Sequence, residues 1–324
     1  MASLSLSAPT AAPKTRRGIF TAAVVEHRKL CREHYLIRVH LPDFPETAPG
    51  QFVQLALAPS SSSGNFVPES LLTLRRPFSI AAHTTTEQGS TLDFIYRVVG
   101  QLTSALERLR VGDNLSILGP LGTPFPLPQP DQPALLVGGG VGIPPMIYLA
   151  SHLCQTRGSG SGVIAFAGAT TRDLLSLTVT NDAPPPTTTS VSPLYNISEF
   201  AVSGVPAVIS TDDGSYGFRG YVTDALDAYL ARYFSDSWDI TAPDARPRPV
   251  IYTCGPEIMM KKVADIALRR GITAYAAVER AMACGLGTCQ SCVIKVKATD
   301  APDGWRFALS CTEGPVFDTR LLLW

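Results

Sequence analysis

The chain has 324 residues, 45% of them hydrophobic, enough to bury a large core and to build two or three modules rather than one small domain. Its 27 Lys and Arg balance 27 Asp and Glu, so there is no overall field of the kind that holds nucleic acid or an anionic membrane, and neither partner is expected. The longest apolar stretch, 134–150, is interrupted by three consecutive glycines and two prolines and falls short of the ~20 residues that cross a bilayer; a soluble, cytoplasmic protein is expected.

Residues 1–17 are rich in Ser, Ala and Thr, lack the apolar centre of a secretory signal, and are read as a disordered tail. From residue 18 to about 130 the chain runs in short alternating segments, such as Tyr35–His40, Gln51–Leu57 and Leu92–Val99, with one helical segment at Thr103–Leu109. Period two with turn residues between runs predicts an antiparallel β-barrel or sandwich. From Pro133 the texture changes to buried apolar runs (134–137, 163–166, 207–209, 250–252) separated by helical spacing, as in Val222–Tyr233 and Glu257–Arg270. That alternation predicts a parallel sheet covered by helices. Pro, Ser, Thr and Gly gather at 58–70, 156–162, 178–193 and 241–249, which read as surface insertions.

Seven cysteines, four of them between 284 and 311, make a poor disulfide framework and suggest a metal site in a reducing compartment. Cys31 and Cys154 stand alone in apolar surroundings and are expected to be small core residues. Cys284, Cys289 and Cys292 stand at C-x4-C-x2-C spacing, with Cys311 beyond an apolar run, which is the spacing of plant-type 2Fe-2S ligation. Gly285 and Gly287 would let the loop turn its N–H groups toward the sulfurs. A structural zinc site also takes four thiolates, but it usually uses two C-x2-C knuckles, and one exists here.

Five further segments could meet a phosphate or a ring. Arg75-Arg76-Pro77-Phe78-Ser79-Ile80 opens a strand with a guanidinium suited to pyrophosphate, and Ile95-Tyr96-Arg97 leads into a helix start at Leu102-Thr103. Gly138-Gly139-Gly140-Val141-Gly142 follows one apolar strand, Thr211-Asp212-Asp213-Gly214-Ser215-Tyr216-Gly217 a second, and Thr253-Cys254-Gly255-Pro256 a third. Each is also compatible with an ordinary tight turn, and the first is not a G-x-G-x-x-G fingerprint.

Taken in this order, the motifs resemble the ferredoxin-NADP reductase superfamily over about residues 18–320. Within it, Met282-Ala-Cys-Gly-Leu-Gly-Thr-Cys289-Gln-Ser-Cys292 followed by Leu309-Ser-Cys-Thr-Glu-Gly-Pro-Val-Phe317 is similar to the electron transfer subunits of class 1B dihydroorotate dehydrogenase. The resemblance implies a β-barrel FAD domain at 18–130, an α/β NAD domain at 131–279 and a small 2Fe-2S domain at 280–324. FAD contacts are then expected at Arg76, Pro77, Phe78, Ser79, Ile95, Tyr96, Arg97, Leu102 and Thr103. NAD contacts are expected at Gly139, Gly140, Gly142, Asp212, Cys254, Gly255 and Pro256, and cluster ligands at Cys284, Cys289, Cys292 and Cys311. Relatives usually carry glycine where this chain has Leu102, a change that restricts backbone approach.

The same resemblance implies electron relay from an FMN-containing catalytic subunit to NAD in pyrimidine biosynthesis, in a heterotetramer of two plus two. No acid–base residue stands out for substrate chemistry on this chain. A ferredoxin-dependent NADP oxidoreductase, sulfide dehydrogenase or hydrogenase diaphorase subunit shares all these motifs. A zinc-stabilised interaction protein without redox activity is the alternative from another class.

Overall fold

The computed structural model describes residues 17–58, 74–180, 189–234 and 247–324. All but the last residue of the tail at 1–17, and parts of the insertions at 58–70, 178–193 and 241–249, lie outside the described residues.

The first sheet is antiparallel and contains β1 (Gly18–Cys31), β2 (His34–Leu41), β3 (Phe52–Leu57), β4 (Arg76–Ser79), β5 (Ala82–Thr86), β6 (Gly89–Arg97) and β7 (Asn114–Leu121), in the order β4-β3-β7-β1-β2-β6-β5. Alternation along these strands sends Val24, Ile37, Val39, Val53, Leu55, Phe94 and Ile117 into one core. Phe78 on β4 packs edge-on against Phe94 and Tyr96 on β6, with ring centroids 6.4 and 6.1 Å away, and draws the two ends of the sheet together. The predicted helix is present as α1 (Gln101–Leu106), two residues earlier than its hydrophobic spacing suggested. Thr103 sets that start: its Oγ1 accepts the N–H groups of Val99 and Gly100, both at 3.0 Å.

The second sheet is built from β8 (Ala134–Gly139), α2 (Ile143–Arg157), β9 (Val163–Ala169), α3 (Ser198–Ala201), β10 (Ala207–Thr211), β11 (Phe218–Arg219), α4 (Val222–Tyr233), β12 (Val250–Cys254), α5 (Glu257–Arg269) and β13 (Thr273–Ala277). These strands are parallel, in the order β11-β10-β9-β8-β12-β13, and both faces are covered. Leu136, Ala165 and Tyr252 face α2 and α3, while Leu135, Val137, Phe166 and Ile251 face α4 and α5. Burial on both sides is why these strands read as continuous apolar runs.

The cysteine segment is a loop followed by a hairpin, β14 (Val293–Lys297) and β15 (Trp305–Leu309), after which β16 (Val316–Asp318) rejoins the second sheet antiparallel to β13. The thiol loop is thereby pinned at both ends: Val278 N–H donates to Pro315 at 2.8 Å and Thr123 N–H to Gly314 at 2.7 Å. The barrel meets α2 through Tyr148, whose hydroxyl donates to the Thr47 carbonyl at 2.6 Å, and through an apolar contact of Leu36, Ala81 and Ile95 with Ile147.

Candidate functional site

The four predicted thiols come together as two pairs. Cys284 and Cys289 lie on the outer part of the loop, where Leu286 N–H and Cys289 N–H point to the Cys284 sulfur at 3.3 and 3.4 Å. Cys292 and Cys311 are buried behind them, in an apolar wall of Phe52, Leu121 and Met282. The two environments separate the thiols chemically. Hydrogen bonds from Ser291 first, then contacts with Cys284, lower the Cys289 thiol to about 6. Burial, then its hydrogen bond with Cys292, pushes the Cys311 thiol up to about 11.

Among the described residues no three His, Cys, Asp or Glu side chains converge closely enough to hold a single ion. Two pairs fit a two-iron cluster, in which each iron takes two cysteines, better than one tetrahedral ion. Gly285 and Gly287 adopt φ of 71° and 87°, the left-handed turn that aims the loop N–H groups inward. Sequence reasoning passed over Glu313, which accepts the Leu309 N–H at 2.9 Å and pairs with Arg306 at 2.6 Å, bracing the turn that carries Cys311.

The arginine pair divides its labour. Arg75 turns inward and donates to the Ser116 carbonyl and hydroxyl at 2.9 and 2.8 Å, tying the β4 entrance to β7. Arg76 stays exposed and touches only the carbonyls of Leu74 and Arg75, with no carboxylate partner among the described residues. A free guanidinium on an edge strand is what a pyrophosphate needs. Pro77 and Ser79 lie half-buried on the same strand, and Phe78 belongs to the barrel core.

The β6 residues point three ways. Ile95 faces α2, Tyr96 lies in the barrel with its hydroxyl on His27 at 2.9 Å, and Arg97 pairs with Glu33 at 2.7 Å. Leu102 is 6% exposed and its side chain belongs to the barrel core.

In the second sheet, the glycine turn and the Cys254-Gly255-Pro256 turn are pressed together at the carboxyl ends of adjacent β8 and β12. A Cβ on Gly142 would collide with the Cys254 carbonyl, and one on Gly139 would come 2.6 Å from the Met259 sulfur. Gly140, by contrast, has φ 55° and open space around its Cβ position. Strands β9 and β10 lie to one side of β8, and β12 and β13 to the other, so this point is where the chain order reverses and ligands settle in open α/β sheets. Asp212 is exposed beyond β10, its carboxyl raised by partial burial and by Asp213 and Asp224. The glycine turn lies against β6, the strand that carries Ile95, Tyr96 and Arg97. A separate cavity of about 440 Å³ opens between α4 and α5, and none of the predicted site residues lines it.

Comparison with known proteins agrees with this geometry. The profile of the iron-sulfur cluster binding domain of dihydroorotate dehydrogenase B matches residues 279–323. The dihydroorotate dehydrogenase B (NAD(+)) electron transfer subunit of Streptococcus mutans is 35% identical over 79% of this chain and 83% of its own. That of Desulforamulus reducens is 28% identical over 94% and 98%. Among solved structures, an NADH-dependent reduced ferredoxin-NADP oxidoreductase superposes with a TM-score of 0.67 at 26% identity, covering 94% of this chain and 90% of that one. The ferredoxin reductase of carbazole 1,9a-dioxygenase shares the fold with a TM-score of 0.59, at 20% identity over 80% of this chain and 68% of that one.

Proposed function

Because the chain belongs to the family of dihydroorotate dehydrogenase B electron transfer subunits, we propose that it accepts electrons from a catalytic partner that oxidises dihydroorotate and delivers them to NAD+ in de novo pyrimidine (UMP) synthesis. Its cofactors are FAD and a 2Fe-2S cluster, with NAD(H) as substrate. When bound, the cluster supplies one-electron transfer and the flavin the step between single electrons and hydride.

The carrying observation is that the inner thiols Cys292 and Cys311 pack on Phe52 and Leu121 of the barrel, while the glycine turn after β8 lies against β6 of the same barrel. Cys284 and Cys289 would hold one iron, Cys292 and Cys311 the other. The wall of Phe52, Leu121 and Met282 keeps water from the inner pair. Arg76 would neutralise the FAD pyrophosphate and Ser79 would offer a hydroxyl to the flavin. Tyr96 and Phe78 hold the flavin strand from behind, and Leu102 and Thr103 fix the turn after β6. Gly139, Gly142, Cys254, Gly255 and Pro256 would shape the NAD site, to which Gly140 would offer bare backbone and Asp212 a carboxylate.

The division into 18–130, 131–279 and 280–324 follows these three roles, although β16 returns to the second sheet. FMN in the partner, a two-plus-two heterotetramer and a cytoplasmic location complete the proposal. No described helix is long and apolar enough to cross a membrane.

A second reading, a ferredoxin-linked NADP oxidoreductase subunit, draws support from the superposition with the NADH-dependent ferredoxin-NADP oxidoreductase. Mixing purified subunits decides between them. This chain alone should pass electrons from NADH to artificial acceptors and leave dihydroorotate untouched, and adding the FMN subunit should start NADH formation from dihydroorotate. Dihydroorotate oxidation by this chain alone overturns the proposal, and failure with the cognate FMN subunit favours the ferredoxin-linked reading.

A further inference from the structure

Gln54 sits in the middle of β3 and is 0% exposed, yet neither its side-chain nitrogen nor its oxygen has a hydrogen-bond partner among the described residues. Burying an amide with both ends unpaired is costly, so such a group calls for a partner. Its position says where that partner lies. Val53 and Leu55 on either side point into the barrel core, so Gln54 points out of the barrel, the way Phe52 points to pack against Met282, Cys292 and Cys311.

There the amide meets the thiol loop. A Cβ built on Gly285 would come 2.8 Å from Gln54 Nε2 and 3.0 Å from its Cγ, so the amide fills the space a side chain next to Cys284 would take. On the strand side, Gln54 is paired in register with Pro77 of β4. One orphaned amide therefore stands between the strand of Arg76 and Ser79 and the first cluster cysteine.

We propose that Gln54 is a positioning residue for the cluster, its NH2 donating a hydrogen bond to sulfur in the Cys284 part of the ligand sphere. This inference rests on the cluster assignment above. The chemistry selects the amide end: thiolate and sulfide sulfurs accept hydrogen bonds, and only the NH2 end of the side chain donates. Reduction adds negative charge to the cluster, and a hydrogen bond to sulfur stabilises that charge and raises the reduction potential. Gly285 is thereby required twice, once for its positive φ and once because any side chain would displace the donor.

The test is an anaerobic redox titration of the reconstituted holoprotein followed by electron paramagnetic resonance, comparing wild type with Gln54→Leu and Gln54→Met. Both variants fill the space without a donor, and the methionine keeps the unbranched shape should leucine disturb the strand. Both should retain one cluster per chain by iron and sulfide content. Their potential should fall by a tenfold change in the one-electron equilibrium, about 59 mV. The cluster-free Gln54→Leu protein should melt above the cluster-free wild type, because it no longer buries an unpaired amide. An unchanged potential in both loaded variants overturns the proposal, as does a lower melting temperature for both variants without cluster. A wild-type protein that takes up no 2Fe-2S cluster overturns the cluster assignment itself, and the proposal with it.

Discussion

The thiol loop and the Gly138–Gly142 turn are both glycine-rich, and they use glycine for different physical reasons. In the thiol loop Gly285 and Gly287 are needed first for their backbone angles, which turn N–H groups toward sulfur, and Gly285 also for the room that Gln54 takes. In the nucleotide turn Gly139 and Gly142 are needed for thinness, because a second turn lies directly on them. Only Gly140 of that turn has both a positive φ and open space beside it, and it alone leaves bare backbone for a ligand to approach.

The comparison breaks most sharply at the sulfurs. Cys289→Ser is expected to abolish the 2Fe-2S resonance of the reduced protein while the nucleotide crevice keeps its NADH affinity; Cys31→Ser should leave both intact. An undiminished signal in Cys289→Ser would refute the ligand assignment. Next comes Gly142→Ala, whose Cβ meets backbone rather than a yielding side chain. Overpacking of that kind should cost about 3 kcal/mol in urea unfolding, whether or not the cluster is loaded.

Arg76→Ala should weaken FAD retention by about tenfold or more, as the loss of a charge-assisted bond worth ~1.5–3 kcal/mol requires. Arg75→Ala should instead destabilise the fold, since its partners are Ser116 atoms of the chain itself. Gel filtration followed by flavin fluorescence separates the two, and equal retention by Arg76→Ala and wild type counts against the pyrophosphate role. The smallest effect is expected at Gly140→Ala: about 1 kcal/mol of backbone strain, with a rise in KM for NADH as the crevice narrows. A stability loss as large as that of Gly142→Ala would show that both glycines serve packing.

Much of this was legible in the residues. The alternating runs predicted the barrel strands, the continuous apolar runs predicted the parallel sheet, and the C-x4-C-x2-C spacing picked out three of the four thiols that stand here as two pairs. The helix after β6 was misplaced by two residues because its start is set by the Thr103 hydroxyl rather than by apolar spacing. Gln54 was passed over for a more general reason. A polar residue alternating with apolar ones reads as facing water, and here the outer face of β3 is covered by a loop more than 200 residues later in the chain. Arg75 and Arg76 are adjacent and chemically identical, so no local signal could say which one ties down β7 and which stays free.

What the sequence by itself determined is local: the strand and helix periods and the C-x4-C-x2-C spacing of the thiol loop, all of which depend on neighbours a few residues away. Tertiary structure decided the rest. It set the two thiol pairs in different surroundings, pressed Gly142 onto Cys254 across 112 residues of chain, and returned β16 to a sheet begun at Ala134. Those outcomes depend on which surfaces meet, and contact between distant segments is chosen by shape and burial over the whole molecule, which no short window of residues contains.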